Sequence, residues 1–96
     1  MALTIKFIGA LRHISGKTKL TVKYADENFA VKDLILKLLE ETPQLKSSLI
    51  NQQTDDTMKT NALVLVNDKE ISILNGVDTK LRDGDEVVFV PVVHGG

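Results

Sequence analysis

A chain of 96 residues with 43% hydrophobic and 26% charged side chains describes one small globular domain and excludes a disordered or collagen-like protein. Twelve Lys+Arg against thirteen Asp+Glu leave a net charge of −1, which argues against the basic surface that dominates nucleic-acid affinity. The lack of cysteine excludes disulfides, thiolate zinc sites and cysteine catalysis, and no apolar run approaches the roughly 20 residues of a membrane span. Because Met1-Ala2-Leu3-Thr4 carries no basic region or cleavage site, a soluble, cytoplasmic protein is expected.

Residues 3–8, Leu-Thr-Ile-Lys-Phe-Ile, alternate with period two and predict a strand with one buried face. Residues 19–24, Lys-Leu-Thr-Val-Lys-Tyr, alternate again. Gly9 and Ser15-Gly16 supply turn chemistry between them, so the two strands are expected to pair as a hairpin with a long loop. Val31, Leu34, Ile35, Leu38 and Leu39 then fall at helical spacing on a single apolar stripe. Pro43 stops this helix, since proline disfavours helical geometry at Thr42. Its start lacks a good cap: Ala30 stands where Ser, Thr or Asp would serve, with Asn28 as an alternative.

Residues 51–61 hold one hydrophobic side chain and read as an exposed, mobile loop inserted in the domain. Ala62–Val66 is a continuous apolar run bounded by Asn67-Asp68, too short for a helix and consistent with a buried strand. Asn75-Gly76 and Asp83-Gly84-Asp85 are turn signals, the second leading into a β-branched and aromatic strand, Glu86–Val90. The order predicts an α+β domain over residues 1–90, one helix covering one face of a mixed four- to five-stranded sheet, with a flexible tail over 91–96. Alternation assigns Ile5, Phe7, Leu20, Val22, Val64, Val66, Val87 and Phe89 to the helix side, and Ile8, Leu65, Val88 and Val90 to the opposite face.

No internal catalytic site is legible. His13 and His94 lie far apart with no cysteine to join them, so no metal site is read; Asp83, Asp85 and Glu86 read first as a turn. Neither a nucleophile elbow, a phosphate-binding loop nor a dinucleotide fingerprint occurs. The tail is different. Pro91-Val92-Val93-His94-Gly95-Gly96 follows the last strand; Pro91 discourages further pairing and is expected to release the tail. Two glycines without Cβ atoms can thread a narrow channel and present a carboxylate to another protein's active site.

Asp83-Gly84-Asp85-Glu86-Val87-Val88-Phe89-Val90-Pro91 followed by Gly95-Gly96 resembles the ubiquitin-like sulfur carriers. The first strand running into Ala10-Leu11-Arg12, the helix to Pro43 and Leu65-Val66-Asn67 match in the same order. That family includes the molybdopterin synthase small subunit, the thiamine sulfur carrier, the ubiquitin-related modifier and the small archaeal modifier proteins. The molybdopterin type favours Pro-Pro-Val before its end, whereas Val92-Val93-His94 intervenes here, and His-Gly-Gly is more similar to the ubiquitin-related modifier.

The resemblance implies a β-grasp fold and chemistry done to the protein rather than by it. No cofactor is bound; ATP is used by an activating enzyme that adenylates the Gly96 carboxylate. Sulfur then gives a thiocarboxylate for molybdenum cofactor biosynthesis or tRNA thiolation, or a target lysine gives an isopeptide bond. Expected partners are the ubiquitin-activating-like enzyme, the large subunit of a molybdopterin synthase and target-protein lysines, with no nucleic acid or membrane. Gly95 permits the approach, and His94 reads as a recognition contact, a solvated residue or a proton shuttle. Ile8, Leu65, Val88 and Val90 would form the docking surface, unless residues 44–61 fold over them. The competing reading is a non-covalent β-grasp interaction module with an incidental Gly-Gly end.

Overall fold

The computed structural model describes residues 1–53 and 57–92. In chain order the elements are β1 (Ala2–Phe7), α1 (Ala10–Ser15), β2 (Lys19–Lys23), α2 (Val31–Glu41), α3 (Lys46–Leu49), β3 (Ile50–Gln53), β4 (Met58–Thr60), β5 (Ala62–Val66), β6 (Lys69–Glu70) and β7 (Glu86–Pro91). Short 3-10 turns occupy Pro43–Leu45, Ile71–Ile73 and Gly76–Asp78. The main sheet has five strands in the order β2-β1-β7-β5-β6. β1 and β7 run parallel at its centre, and the outer pairings are antiparallel. This is the β-grasp arrangement, a mixed sheet wrapped around one main helix.

Alternation along each strand builds the core. Ile5, Phe7, Val22, Val64, Val66, Val87 and Phe89 are buried against Val31, Leu34, Ile35 and Leu38 of α2, and Leu20 and Leu39 pack on the margin. The helix face and sheet face expected from the sequence are therefore the ones that meet. Phe7 and Phe89 stack with ring centroids 5.8 Å apart. Tyr24 is buried with its hydroxyl donating to the Leu81 carbonyl at 3.3 Å. Burial, then the carboxylates of Asp83 and Asp85, hold that hydroxyl above its ordinary pKa.

The structure departs from the sequence reading in four places. Between β1 and β2 the chain forms α1 rather than a plain loop: Gly9 (φ 59) opens it, Gly16 (φ 74) closes it in the left-handed conformation, and Leu11 anchors it in the core. Leu11 and Ile14, which packs on the core one turn later, dock this short helix, a signal too brief for periodicity to reveal. The start of α2 is not capped by Asn28. The Asp33 side chain accepts the Ala30 N–H at 2.8 Å, and the Thr79 carbonyl accepts the Val31 N–H at 3.0 Å. A carboxylate three residues inside and a distant backbone thus satisfy the amides of Ala30 and Val31.

The third departure concerns residues 51–61. Instead of an exposed loop, β3 and β4 pair as an antiparallel hairpin. Ile50 is buried and Met58 packs on the core, so two apolar anchors hold a ribbon whose remaining side chains are polar. Residues 54–56 of the expected mobile loop lie outside the described residues. Fourth, Pro91 does not end the pairing: it is the last residue of β7, opposite Ala62. Ile8 N–H donates to the Phe89 carbonyl, so alternation turns the Pro91 nitrogen towards β1 as well, and β1 has already ended at Phe7. No ladder bond is lost there, which is why proline is tolerated.

The Asp83–Asp85 segment is a turn, as expected. Ala2 N–H donates to Asp83 Oδ1 at 2.7 Å, and Arg82 N–H donates to Asp85 Oδ2 at 2.8 Å. Asn67 donates its amide to Asp85 Oδ1 and accepts the Glu86 N–H. These carboxylates tie the turns before β6 and β7 to the start of β1.

Candidate functional site

Placing one face of the sheet on α2 leaves the other open. On it Val88 stands opposite Leu65 in β5 and opposite Lys6 in β1, and Val90 stands opposite Leu63. Ile8, two residues past Lys6, continues β1 beside Val90. Directly opposed side chains lie about 4.5–5.5 Å apart, so these residues form one continuous surface. Ile8 is 44% exposed and Leu63 43%, while Leu65, Val88 and Val90 are half-buried by one another. Among the described residues of the 44–61 segment, Leu45, Leu49 and Ile50 belong to the main core, and Ile8 and Leu63 are open to solvent.

All four residues assigned to this face from the sequence are brought together on it. Leu63 was the omission, and period two along Ala62–Val66 carried the signal, since Ala62, Val64 and Val66 point inward. Val92, exposed just beyond β7, extends the apolar surface towards the C-terminus.

The face is polarised along its strands. At the end where β7 begins, Lys6 and Glu86 form an ion pair at 3.0 Å beside Thr4 and Thr21. This pair is half-exposed and contributes little, about 0–1 kcal/mol. At the end where β7 finishes, Val90, Leu63 and Ile8 are all aliphatic. The apolar surface therefore lies beside Pro91 and Val92, the last of the described residues. His94, Gly95 and Gly96 themselves lie outside the described residues.

Gly9 is a second residue that sequence reading left unassigned here. A Cβ added to it would meet Pro91 Cγ at 3.2 Å, and its φ of +59° with ψ of −135° is a conformation essentially reserved for glycine. The turn after β1 thus packs directly on the last residue of β7. Gly9→Ala is expected to destabilise the domain by about 1–3 kcal/mol, measured by denaturant unfolding, through backbone strain and displacement of Pro91. A change below experimental error would show that the turn relaxes freely.

Among the described residues, no group of three or more His, Cys, Asp or Glu side chains is placed to hold a metal ion. His13 is exposed on α1, remote in sequence from any partner ligand. Among those residues no helix is long and apolar enough to cross a membrane. What the arrangement offers is an open apolar face beside the end of β7.

Comparison with known proteins gives a consistent result. The family model described as Urm1 (ubiquitin related modifier) matches residues 2–96. The ubiquitin-related modifier 1 homolog of Dictyostelium discoideum is 31% identical over 98 residues, covering all of both chains. Small archaeal modifier protein 3 of Haloferax volcanii is 32% identical over 96 residues, again covering all of both. The solution structure of small archaeal modifier protein 1 from Methanosarcina acetivorans superposes with a TM-score of 0.79 at 27% identity, covering 99% of this chain and 96% of that one.

Proposed function

This chain belongs to the ubiquitin-related modifier family, ubiquitin-like sulfur carriers and protein modifiers rather than catalysts, and on that premise we propose that its reacting group is the Gly96 carboxylate. A carboxylate is a poor acyl electrophile, because resonance and charge protect its carbon. An activating enzyme supplies ATP: the carboxylate oxygen attacks the α-phosphorus, pyrophosphate leaves, and Gly96 becomes an acyl-adenylate. Sulfide displaces AMP to give a thiocarboxylate directly. A persulfide displaces it to give an acyl disulfide, whose S–S bond a thiol then cleaves to leave the thiocarboxylate and a disulfide. Alternatively a lysine amine of a target displaces it to give an isopeptide bond. In each, Gly95 lets the chain pass a narrow entrance and His94 is read as a contact for the activating enzyme.

The observation that carries this reading is the apolar face around Val90, which ends where the chain leaves β7 for Gly96. It supports an enzyme that holds Ile8, Leu63, Leu65, Val88 and Val90 while its active site takes the terminus. Among recipients, tRNA thiolation and target-protein lysines are favoured over a molybdopterin synthase large subunit. The reason is that Val92-Val93-His94 stands where the molybdopterin type favours Pro-Pro-Val. Such chemistry belongs in the cytoplasm, where ATP and activating enzymes meet the carrier.

The test is the intact mass of the chain isolated from its own cells, with the C-terminal fragment sequenced. The expected species is heavier by the difference between sulfur and oxygen, localised to Gly96, or Gly96 joined to lysines of other proteins. One residue added after Gly96 is expected to abolish acyl-adenylate formation altogether. An unmodified terminus in every growth condition, with no adenylate formed by the purified activating enzyme, would favour the non-covalent module instead.

A further inference from the structure

The sheet has a second surface that the terminal chemistry does not use. β2 is an edge strand, and the hydrogen bonds of its partner β1 show which of its groups are free. Phe7 N–H donates to the Thr18 carbonyl and Tyr24 N–H to the Met1 carbonyl, so residues 18, 20, 22 and 24 turn their backbone groups towards β1. Lys19, Thr21 and Lys23 therefore turn theirs away from the sheet. The Lys23 carbonyl accepts from Lys37 Nζ at 2.8 Å. The amides of Lys19, Thr21 and Lys23 have no partner among the described residues.

Beside this edge lies a groove of about 330 Å³ between β2 and α2, with Leu20, Val22 and Leu38 on its walls. Lys23 and Lys37 stand at one end and Glu41 is its one lining carboxylate. We propose that this edge and groove bind an extended segment of a partner protein, added to the sheet as a sixth strand, with apolar residues in the groove and acidic residues alternating with them.

The alternation of β2 fixes the alternation of its guest. Guest side chains opposite Leu20 and Val22 enter the groove and meet Leu38, which suits aliphatic residues. Those opposite Lys19 and Lys23 lie on the open face beside two ammonium groups, which suits carboxylates. The same charges disfavour a second copy of this chain: antiparallel self-pairing centred on Thr21 sets Lys19 of one copy opposite Lys23 of the other. β1 lies between β2 and β7, so the groove is roughly 10 Å from the strand that carries the terminus and on the helix side of the sheet. A partner there leaves the apolar face around Val90 free.

The probe is the synthetic peptide acetyl-Ser-Glu-Val-Thr-Val-Glu-Ser-amide, titrated into the isotope-labelled full chain and followed by amide NMR. Shifts are expected over residues 19–23 and at Lys37 and Leu38, with the Thr21 amide newly protected from hydrogen exchange. Affinity is expected to fall about threefold or more as salt is raised through the physiological range. Exchanging the peptide's glutamates for lysines is expected to weaken binding about tenfold, and K23E/K37E in the protein to reverse that preference. Thr21→Pro removes an amide that β1 does not use and is expected to abolish binding. Should that variant not fold, N-methylation of the peptide's central threonine removes the matching bonds from the other side. Shifts confined to Ile8, Val88 and Val90, equal binding of the lysine peptide, or no shift at millimolar peptide would each overturn the proposal. So would a concentration-dependent β2–β2 dimer in the free protein.

Discussion

Phe89→Ala is expected to lower the stability of the domain by about 3–5 kcal/mol, enough to remove a third or more of what a domain this size commonly has. Phe89 is fully buried in the central strand of the sheet, with Val64 of β5 and Phe7 of β1 as its direct neighbours in register. Its ring stacks on Phe7, and around it Ile5, Leu34 and Val87 are also sealed from solvent. A methyl group in its place leaves a cavity in a close-packed interior whose walls belong to three different elements. These walls cannot collapse together without breaking the parallel β1–β7 ladder, so both lost transfer energy and lost packing contribute. Denaturant unfolding of the two proteins gives the answer directly: the midpoint should drop sharply with little change in slope. A loss below about 1.5 kcal/mol would mean that the neighbouring side chains relax into the space, and that the core is less rigidly specified than its burial implies.

How far the fold was legible follows from the length over which each signal persists. Five apolar positions of α2 recur over more than two helical turns, and β1 and β2 alternate for six and five residues. These long patterns assign faces without ambiguity, which is why the helix stripe and the sheet face met as read. α1 is six residues long with one buried leucine, and β6 is two residues long, so neither leaves a period to detect. The β3–β4 ribbon is polar in sequence because a two-stranded ribbon anchored by Ile50 and Met58 requires little apolar surface. The helix start failed for a different reason: Thr79, which completes it, lies 48 residues beyond Val31. No local pattern reports a backbone partner so distant. The open face was legible as a list of residues, but its meaning depended on strand order. Only the placement of β7 between β1 and β5 brings Ile8, Leu63, Leu65, Val88 and Val90 together beside the end of β7.

Val90→Asp, one residue along from Phe89, is expected to do the opposite: leave the fold and remove the function. Val90 points to the open face, half-buried by its neighbours there, and its backbone remains paired with Leu63 whatever side chain it carries. Aspartate loses some β-propensity, so a stability change within about 1 kcal/mol and an unaltered far-UV spectrum are expected. At a docking surface the consequence is larger. Binding energy concentrates in a few central apolar residues, and a carboxylate there must be stripped of water as the partner docks. Lys6, on this face, is already paired with Glu86. A loss of at least about 2 kcal/mol in partner affinity is expected, a fall of about thirtyfold or more in kcat/KM for adenylation of Gly96. Lys6→Ala, at the polar end of the same face, serves as the comparison and should leave those kinetics within about twofold. Because Val90→Asp keeps Gly95 and Gly96 unchanged, its failure would separate docking from terminal chemistry. Normal adenylation in this variant would show that the activating enzyme holds the tail alone, and the apolar face would then need another partner.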